Sequence, residues 1–162
     1  KLTDTDGDGK ADQKTKLYGP FGVRDTHGMV NSFTLMPDNW VYACHGFANE
    51  SKVKGTDGHE VSMTSGHVFR FRLDGSRIEV YSRGQVNPFG LTIDPYFNIY
   101  TSDCHSKPIT QVIKGAYYES FGRPHDGLGF GPSMMNHIHN STGLCGPTWY
   151  QADQFPKEYN GC

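Results

Sequence analysis

The chain has 162 residues, a net charge of −2, 13% aromatic residues, 20 glycines and 9 prolines, but few of the alanines and leucines that build helices. That length holds one domain with a core, and the composition favours short strands joined by turns over a helical bundle. The near-neutral charge without a basic run excludes a nucleic-acid surface, and no apolar run approaches the roughly 18 residues of a membrane span.

The chain opens at Lys1 without a methionine or a signal-type segment and stops at Tyr159–Cys162 within strand-like sequence, so it reads as a processed or partial chain. The first element is Asp4-Thr5-Asp6-Gly7-Asp8-Gly9-Lys10-Ala11-Asp12. Carboxylates at alternate positions, followed by a glycine that permits a sharp turn, can wrap one hard cation in oxygen. Asp4, Asp6 and Asp8 supply side-chain oxygens in this reading, Lys10 its backbone carbonyl, and Asp12 a direct or water-mediated contact. A full EF-hand needs glutamate where Thr15 stands, so the loop is similar to the shorter calcium loops of dockerin-like and thrombospondin-type repeats.

Lys16–Val23 reads as a strand and turn. Within Asp25–Gly46, Ser32–Met36 and Trp40–Ala43 are β-prone runs around Pro37-Asp38-Asn39, which supplies turn chemistry. A hairpin there brings His27 and Asn31 to the same sheet edge as Cys44 and His45. Phe47–Ser65 reads as a polar insertion without apolar periodicity, of a length usually kept for function. Gly66–Tyr81 is a hairpin about Asp74-Gly75.

The opening pattern then recurs. Asn87–Ser106 parallels Asn31–Gly46, with the offset growing from 56 residues at Asn31/Asn87 to 58 at Tyr42/Tyr100 and 60 at Cys44/Cys104. With the insertion removed, each copy and the strands after it approach the repeat length of a propeller blade. Ile109–Gly115 is a further strand, and Ala116–Pro132 an aromatic, glycine-rich loop. Its Gly127, Gly129 and Gly131 have the wrong spacing and surroundings for a dinucleotide fingerprint. His137 and His139 stand two apart, which on a strand turns both to one side and suits a metal or a polar channel. Leu144–Cys162 reads as an aromatic strand with a turn at Asp153–Lys157.

Four cysteines fit an oxidising compartment, with buried free thiols as the other reading. Of the three connectivities, Cys44–Cys104 and Cys145–Cys162 is the expected one, because the first pair is repeat-equivalent and the second brackets one segment. No Cys-x-x-Cys-His run occurs, so this segment carries no covalent haem.

His27-Gly28 before a strand, Pro37-Asp38 and Val41-Tyr42 resemble the active-site blade of soluble quinoprotein glucose dehydrogenases and related sorbosone dehydrogenases. Asn87-Pro88-Phe89-Gly90-Leu91 resembles that family's Arg-Asn-Pro-x-Gly-Leu element. Gly115-Ala116-Tyr117-Tyr118, with Gly122-Arg123-Pro124, resembles its Gly-x-Asn-Tyr-Gly-Trp-Pro loop, and Gly143–Gly161 resembles the start of a later blade. The likeness extends over nearly the whole chain to the predicted "membrane-bound dehydrogenase" proteins of planctomycetes and verrucomicrobia, where this propeller is often joined to a haem-binding domain.

The resemblance implies an all-β fold: part of a six-bladed β-propeller of four-stranded antiparallel blades. Residues 1–15 would form the calcium loop, and 16–162 about three blades of an incomplete propeller. It implies oxidation of a sugar or other alcohol, with His27 as general base and pyrroloquinoline quinone as hydride acceptor. Asn87, Asp103, His105 and Tyr117 would stand at the cofactor, with calcium at the turn that follows Asp103. Val86 departs from the pattern, since the family has an arginine there. The implied partners are the missing blades or a protein that completes the ring, and a haem c electron acceptor on another domain. The implied location is periplasmic or extracellular. The alternative function is a non-catalytic propeller that binds glycan or protein within a larger complex.

Overall fold

The computed structural model describes residues 1–121, 127–138 and 143–162. Among the described residues the fold is all-β with two single-turn 3-10 helices, and its strands form four small antiparallel sheets. Among the described residues the sheets do not close into a barrel or a propeller ring.

Two short strands, β1 (Leu2–Thr3) and β2 (Gln13–Lys14), pair at the base of the aspartate loop. The principal sheet has four strands, β3 (Asn31–Leu35), β4 (Val41–His45), β7 (His67–Phe71) and β8 (Ile78–Arg83), hydrogen-bonded in that order. A second sheet orders β11 (Ile109–Val112), β10 (Ile99–Asp103) and β9 (Pro88–Ile93). The predicted hairpins of Asp25–Gly46 and Gly66–Tyr81 are present, and so is the repeat. In both copies an aspartate caps the turn: Asp38 accepts from the Trp40 amide at 3.1 Å and Asp94 from the Tyr96 amide at 2.8 Å. In both, a tyrosine two positions into the next strand donates to the same carboxylate, Tyr42 to Asp38 at 2.9 Å and Tyr100 to Asp94 at 3.1 Å.

That correspondence corrects the alignment of the copies beyond the tyrosines. With Tyr42 matched to Tyr100, Ser102 occupies the place of Cys44 and Asp103 that of His45, and Cys104 lies past the strand end. Cys44 is wholly buried in the cluster that joins the two sheets, among Met36, Trp40, Val68, Ile99 and Val112. Cys104 instead takes a hydrogen bond from Asn87 at 3.5 Å. The expected disulfides are not formed. All four cysteines are free, and burial pushes the Cys44 thiol up to about 12.

The insertion is also more ordered than expected. Glu50–Lys54 and Glu60–Thr64 form a five-pair hairpin, β5 and β6. Ser51, Val53, Val61 and Met63 alternate inward between exposed neighbours. Val53, Val61 and Met63 cover the free face of the principal sheet at Ala43, Phe69 and Ile78, making the second core. The period of two was present in the sequence but masked by lysines and glutamates on the outer face. At the far end, no strand forms in the described part of 127–162. Tyr150 and Cys162 instead close a compact turn by backbone bonds, Tyr150 N–H to the Cys162 carbonyl at 2.9 Å and Gly161 N–H to the Tyr150 carbonyl at 3.0 Å. His137 is exposed on irregular chain, and His139 and Gly122–Pro124 lie outside the described residues.

Candidate functional site

The site begins at a tight turn. Asp25 caps the 3-10 turn Thr26–Gly28 by accepting from the His27 amide at 2.9 Å. The same oxygen stands 3.3 Å from His27 Nδ1. A carboxylate can only accept there, so in the neutral imidazole Nδ1 carries the proton and Nε2 the lone pair. The His27 side chain is 92% exposed.

Two glycines place this turn against the end of β4. Gly46 donates to the Gly28 carbonyl at 3.1 Å. A Cβ on Gly28 would overlap the Phe47 backbone, and one on Gly46 would overlap Asn87 Oδ1 and Gly28. The paired His-Gly dipeptides at 27–28 and 45–46 thus permit a backbone approach that side chains would prevent.

Asn87 joins the turn to the second sheet. Its Nδ2 donates to the His27 carbonyl at 3.2 Å and its Oδ1 accepts from the Phe47 amide at 3.0 Å. Beneath it Asp103, 1% exposed, accepts from four donors. These are the amides of Val86 at 2.7 Å, Asn87 at 3.1 Å and His105 at 3.0 Å, and the Ser106 hydroxyl at 2.8 Å. Asn87 and Asp103 are therefore occupied within the protein. They fix the loops that carry His27 and His105.

The result is an open cleft of about 460 Å³. His27, Asn87, Cys104 and His105 line one part of it, and Phe89, Leu144 and Cys145 supply apolar wall. Desolvation raises the Cys104 thiol above its ordinary range, so at neutral pH it is a thiol rather than a thiolate. The His105 ring sits 6.3 Å from Phe47 and 5.9 Å from Phe121.

Of the residues expected at a site, His27, Asn87 and His105 share this cleft and Asp103 supports it from below. Tyr117 stands elsewhere, bridged to Arg83 and packed against Phe130 at 6.2 Å. The sequence reading missed Asp25 as the brace of His27, although the Asp-x-His-Gly spacing carried that signal. It also missed the wall at Leu144 and Cys145, which belongs to the site only through tertiary packing: Gly146 N–H donates to the Phe89 carbonyl at 3.2 Å.

The aspartate loop is separate from the cleft. One oxygen from each of Asp4, Asp6 and Asp8 lies within 4.8 Å of the others, a spacing that suits a hard cation coordinated by oxygen. The Gly7 and Gly9 amides donate to Asp4 at 2.7 and 2.9 Å and hold its carboxyl below the usual carboxylate range, the Gly9 bond more strongly. Asp12 is engaged by the Thr5 hydroxyl at 2.6 Å. Adding calcium to metal-free protein is expected to raise its melting temperature, and Asp6→Ala to abolish the rise. An equal shift in the variant would remove the site.

A family model described as a domain of unknown function, DUF7133, matches residues 1–162. The chain belongs to the DUF7133 family. No curated protein and no solved structure matches this DUF7133 chain.

Proposed function

We propose that this DUF7133 domain is part of a propeller-type dehydrogenase that oxidises a sugar or other alcohol, with His27 as the proton acceptor. The observation that carries the proposal is the Asp25–His27 pair at the mouth of the cleft. Asp25 holds the proton on Nδ1, which leaves Nε2 as a base. A hydroxyl bound in the cleft would give its proton to Nε2, and Asp25 would stabilise the resulting imidazolium. Phe89 and Leu144 would exclude water from the reacting carbon.

A bound quinone would supply the two-electron acceptor. The donor set fits the rings of such a group better than its charges. Apolar walls and the His105 imidazole suit a planar ring, whereas no lysine or arginine lines the cleft among the described residues, and Val86 is a buried apolar side chain. The candidate acceptor is thus a planar quinone held chiefly through its rings, and pyrroloquinoline quinone is the one to test.

The four-stranded sheet and its three-stranded neighbour, joined through Met36, Trp40, Ile99 and Val112, support reading them as adjacent blades. Further blades or a protein partner would complete the ring. A haem c domain would take the electrons, calcium would stabilise the Asp4–Asp12 loop, and the compartment would be periplasmic or extracellular. No helix is long and apolar enough to cross a membrane among the described residues.

A second reading, a non-catalytic propeller that binds glycan or protein, draws on the internal bonds of Asn87 and Asp103, which leave neither committed to a ligand. Titration with pyrroloquinoline quinone in calcium separates the two readings. Quinone absorbance on the protein and dye reduction by aldoses are expected. No uptake at micromolar quinone would eliminate the enzyme reading in its quinone form.

A further inference from the structure

His45 ends β4 with its side chain wholly buried. Its Nδ1 lies 2.8 Å from the Ser65 carbonyl, which can only accept, so the proton is on Nδ1. Nε2 is then the acceptor for the Ser51 hydroxyl at 2.8 Å, and Ser51 Oγ in turn accepts from the Gly22 amide at 2.8 Å. Two residues before Ser51, Asn49 grips Asp25 with both ends of its amide. Asn49 Oδ1 accepts from the Asp25 amide at 3.0 Å, and Asn49 Nδ2 donates to the Asp25 carbonyl at 2.9 Å. The start of β5 therefore holds the whole segment Gly22–Asp25, at whose end stands the cap of the His27 turn.

We propose that the chain Ser65–His45–Ser51–Gly22 is an acid-sensitive clasp. Protonation of His45 puts a charge and a second donor into this buried chain, which strands the Ser51 hydroxyl hydrogen and weakens the hold on the β5–β6 hairpin and on the segment that carries His27.

The neutral imidazole is satisfied at both nitrogens. The imidazolium has two donors, so Nε2 no longer accepts from Ser51, and the buried hydroxyl hydrogen loses its partner. The new charge also lies on a side chain withdrawn from the surface. On β7, the titratable group facing His45 is His67, whose ring is 6.1 Å away and whose Nδ1 donates to the same Ser65 carbonyl at 3.2 Å; its protonation would add like charge. On β5, Glu50 and Lys52 flank Ser51 but are exposed. On β4 the neighbour is the neutral thiol of Cys44, and the Ser65 turn and Gly22 contribute no charge. Among the described residues, no carboxylate stands among the hydrogen-bond or ring partners of His45.

Burial holds the imidazole below its ordinary range, with the Ser65 carbonyl opposing. The folded-state value is thus lower than the unfolded one. The clasp's contribution is full above about pH 6.5 and is lost as the pH falls below it. Opening would bare Val53, Val61 and Met63 together with Ala43, Phe69 and Ile78. His45 touches no substrate and is a positioning residue. Its link to turnover rests on the reading of His27 as base, whereas the clasp does not.

Amide hydrogen exchange, corrected for the intrinsic effect of pH, tests the clasp without any turnover assay. Protection at Gly22, Asp25, Val53 and Val61 is expected to fall about tenfold or more between about pH 7.5 and about pH 5, while the β7–β8 ladder stays protected. His45→Asn keeps a donor for Ser65 but cannot titrate, so its hairpin should be weakly protected and independent of pH. Unchanged protection in the wild type at about pH 5, or a wild-type pH response in His45→Asn, overturns the clasp. Should that variant not fold, an imidazole titration of the wild type by NMR decides. His45 and the hairpin amides must share one midpoint, and separate midpoints overturn it.

Discussion

Asp103→Asn is expected to lower stability by about 3–5 kcal/mol, the combined cost of losing charge-assisted bonds and leaving buried donors opposed. Asp103 Oδ1 serves the Asn87 and His105 amides, and Oδ2 serves Val86 N–H and the Ser106 hydroxyl. An asparagine can accept with only one oxygen, so its NH₂ group must face donors on the other side. In a chain of this size that cost corresponds to a fall in melting temperature of roughly 6–20 °C. The loops at 86–87 and 104–106 would separate, and the cleft would lose the placement of both Asn87 and His105. Chemical denaturation is the check. A loss below about 1 kcal/mol would show that the four-donor arrangement is not what joins these loops.

His27→Ala is expected to act in the opposite way, on turnover and not on the fold. A side chain that is 92% exposed contributes little packing, so the melting temperature should stay within about 2 °C of the wild type. Under the proposed dehydrogenase reading, the variant loaded with quinone should lose roughly 10²–10⁴-fold in kcat with little change in KM, because a general base acts in the transition state. Added imidazole should restore part of the rate. Asp25→Asn keeps a cap for the turn but weakens the hold on Nδ1, and should give a smaller loss. A kcat for His27→Ala within about threefold of the wild type would rule out His27 as the base.

Much of this was legible in the chain. β-Prone runs on either side of Pro37-Asp38-Asn39 and of Asp74-Gly75 gave the Asp25–Gly46 and Gly66–Tyr81 hairpins, because turn chemistry between two such runs is local. Asn31/Asn87 and Tyr42/Tyr100 gave the repeat, and the structure adds Asp38 and Asp94, which cap both turns and accept from those tyrosines. The β5–β6 hairpin was misread for a different reason: Lys52, Lys54, Glu50 and Glu60 form its outer face and hide the inward series Ser51, Val53, Val61, Met63. The cysteines misled because matching Cys44 to Cys104 put a two-residue slip after the tyrosines that the strands do not have. With the strands in register, Cys44 lies in the core and Cys104 at the cleft.

His27 could be placed at the sheet edge by the hairpin, and its role was read through the resemblance that His27-Gly28 before a strand carries. What Asn87 and Asp103 do could not be derived that way, because the same residue types suit either a ligand or a set of backbone amides. The hydrogen-bond partners that occupy them come from four separate stretches of chain, at 27, 47, 86–87 and 105–106. By itself, then, the sequence determined an all-β chain with two copies of one hairpin and a histidine at the edge of the first. Only the tertiary structure decided which polar residues face the cleft and which are spent holding it. Hydrogen-bond satisfaction in a buried site depends on segments that the sequence keeps far apart.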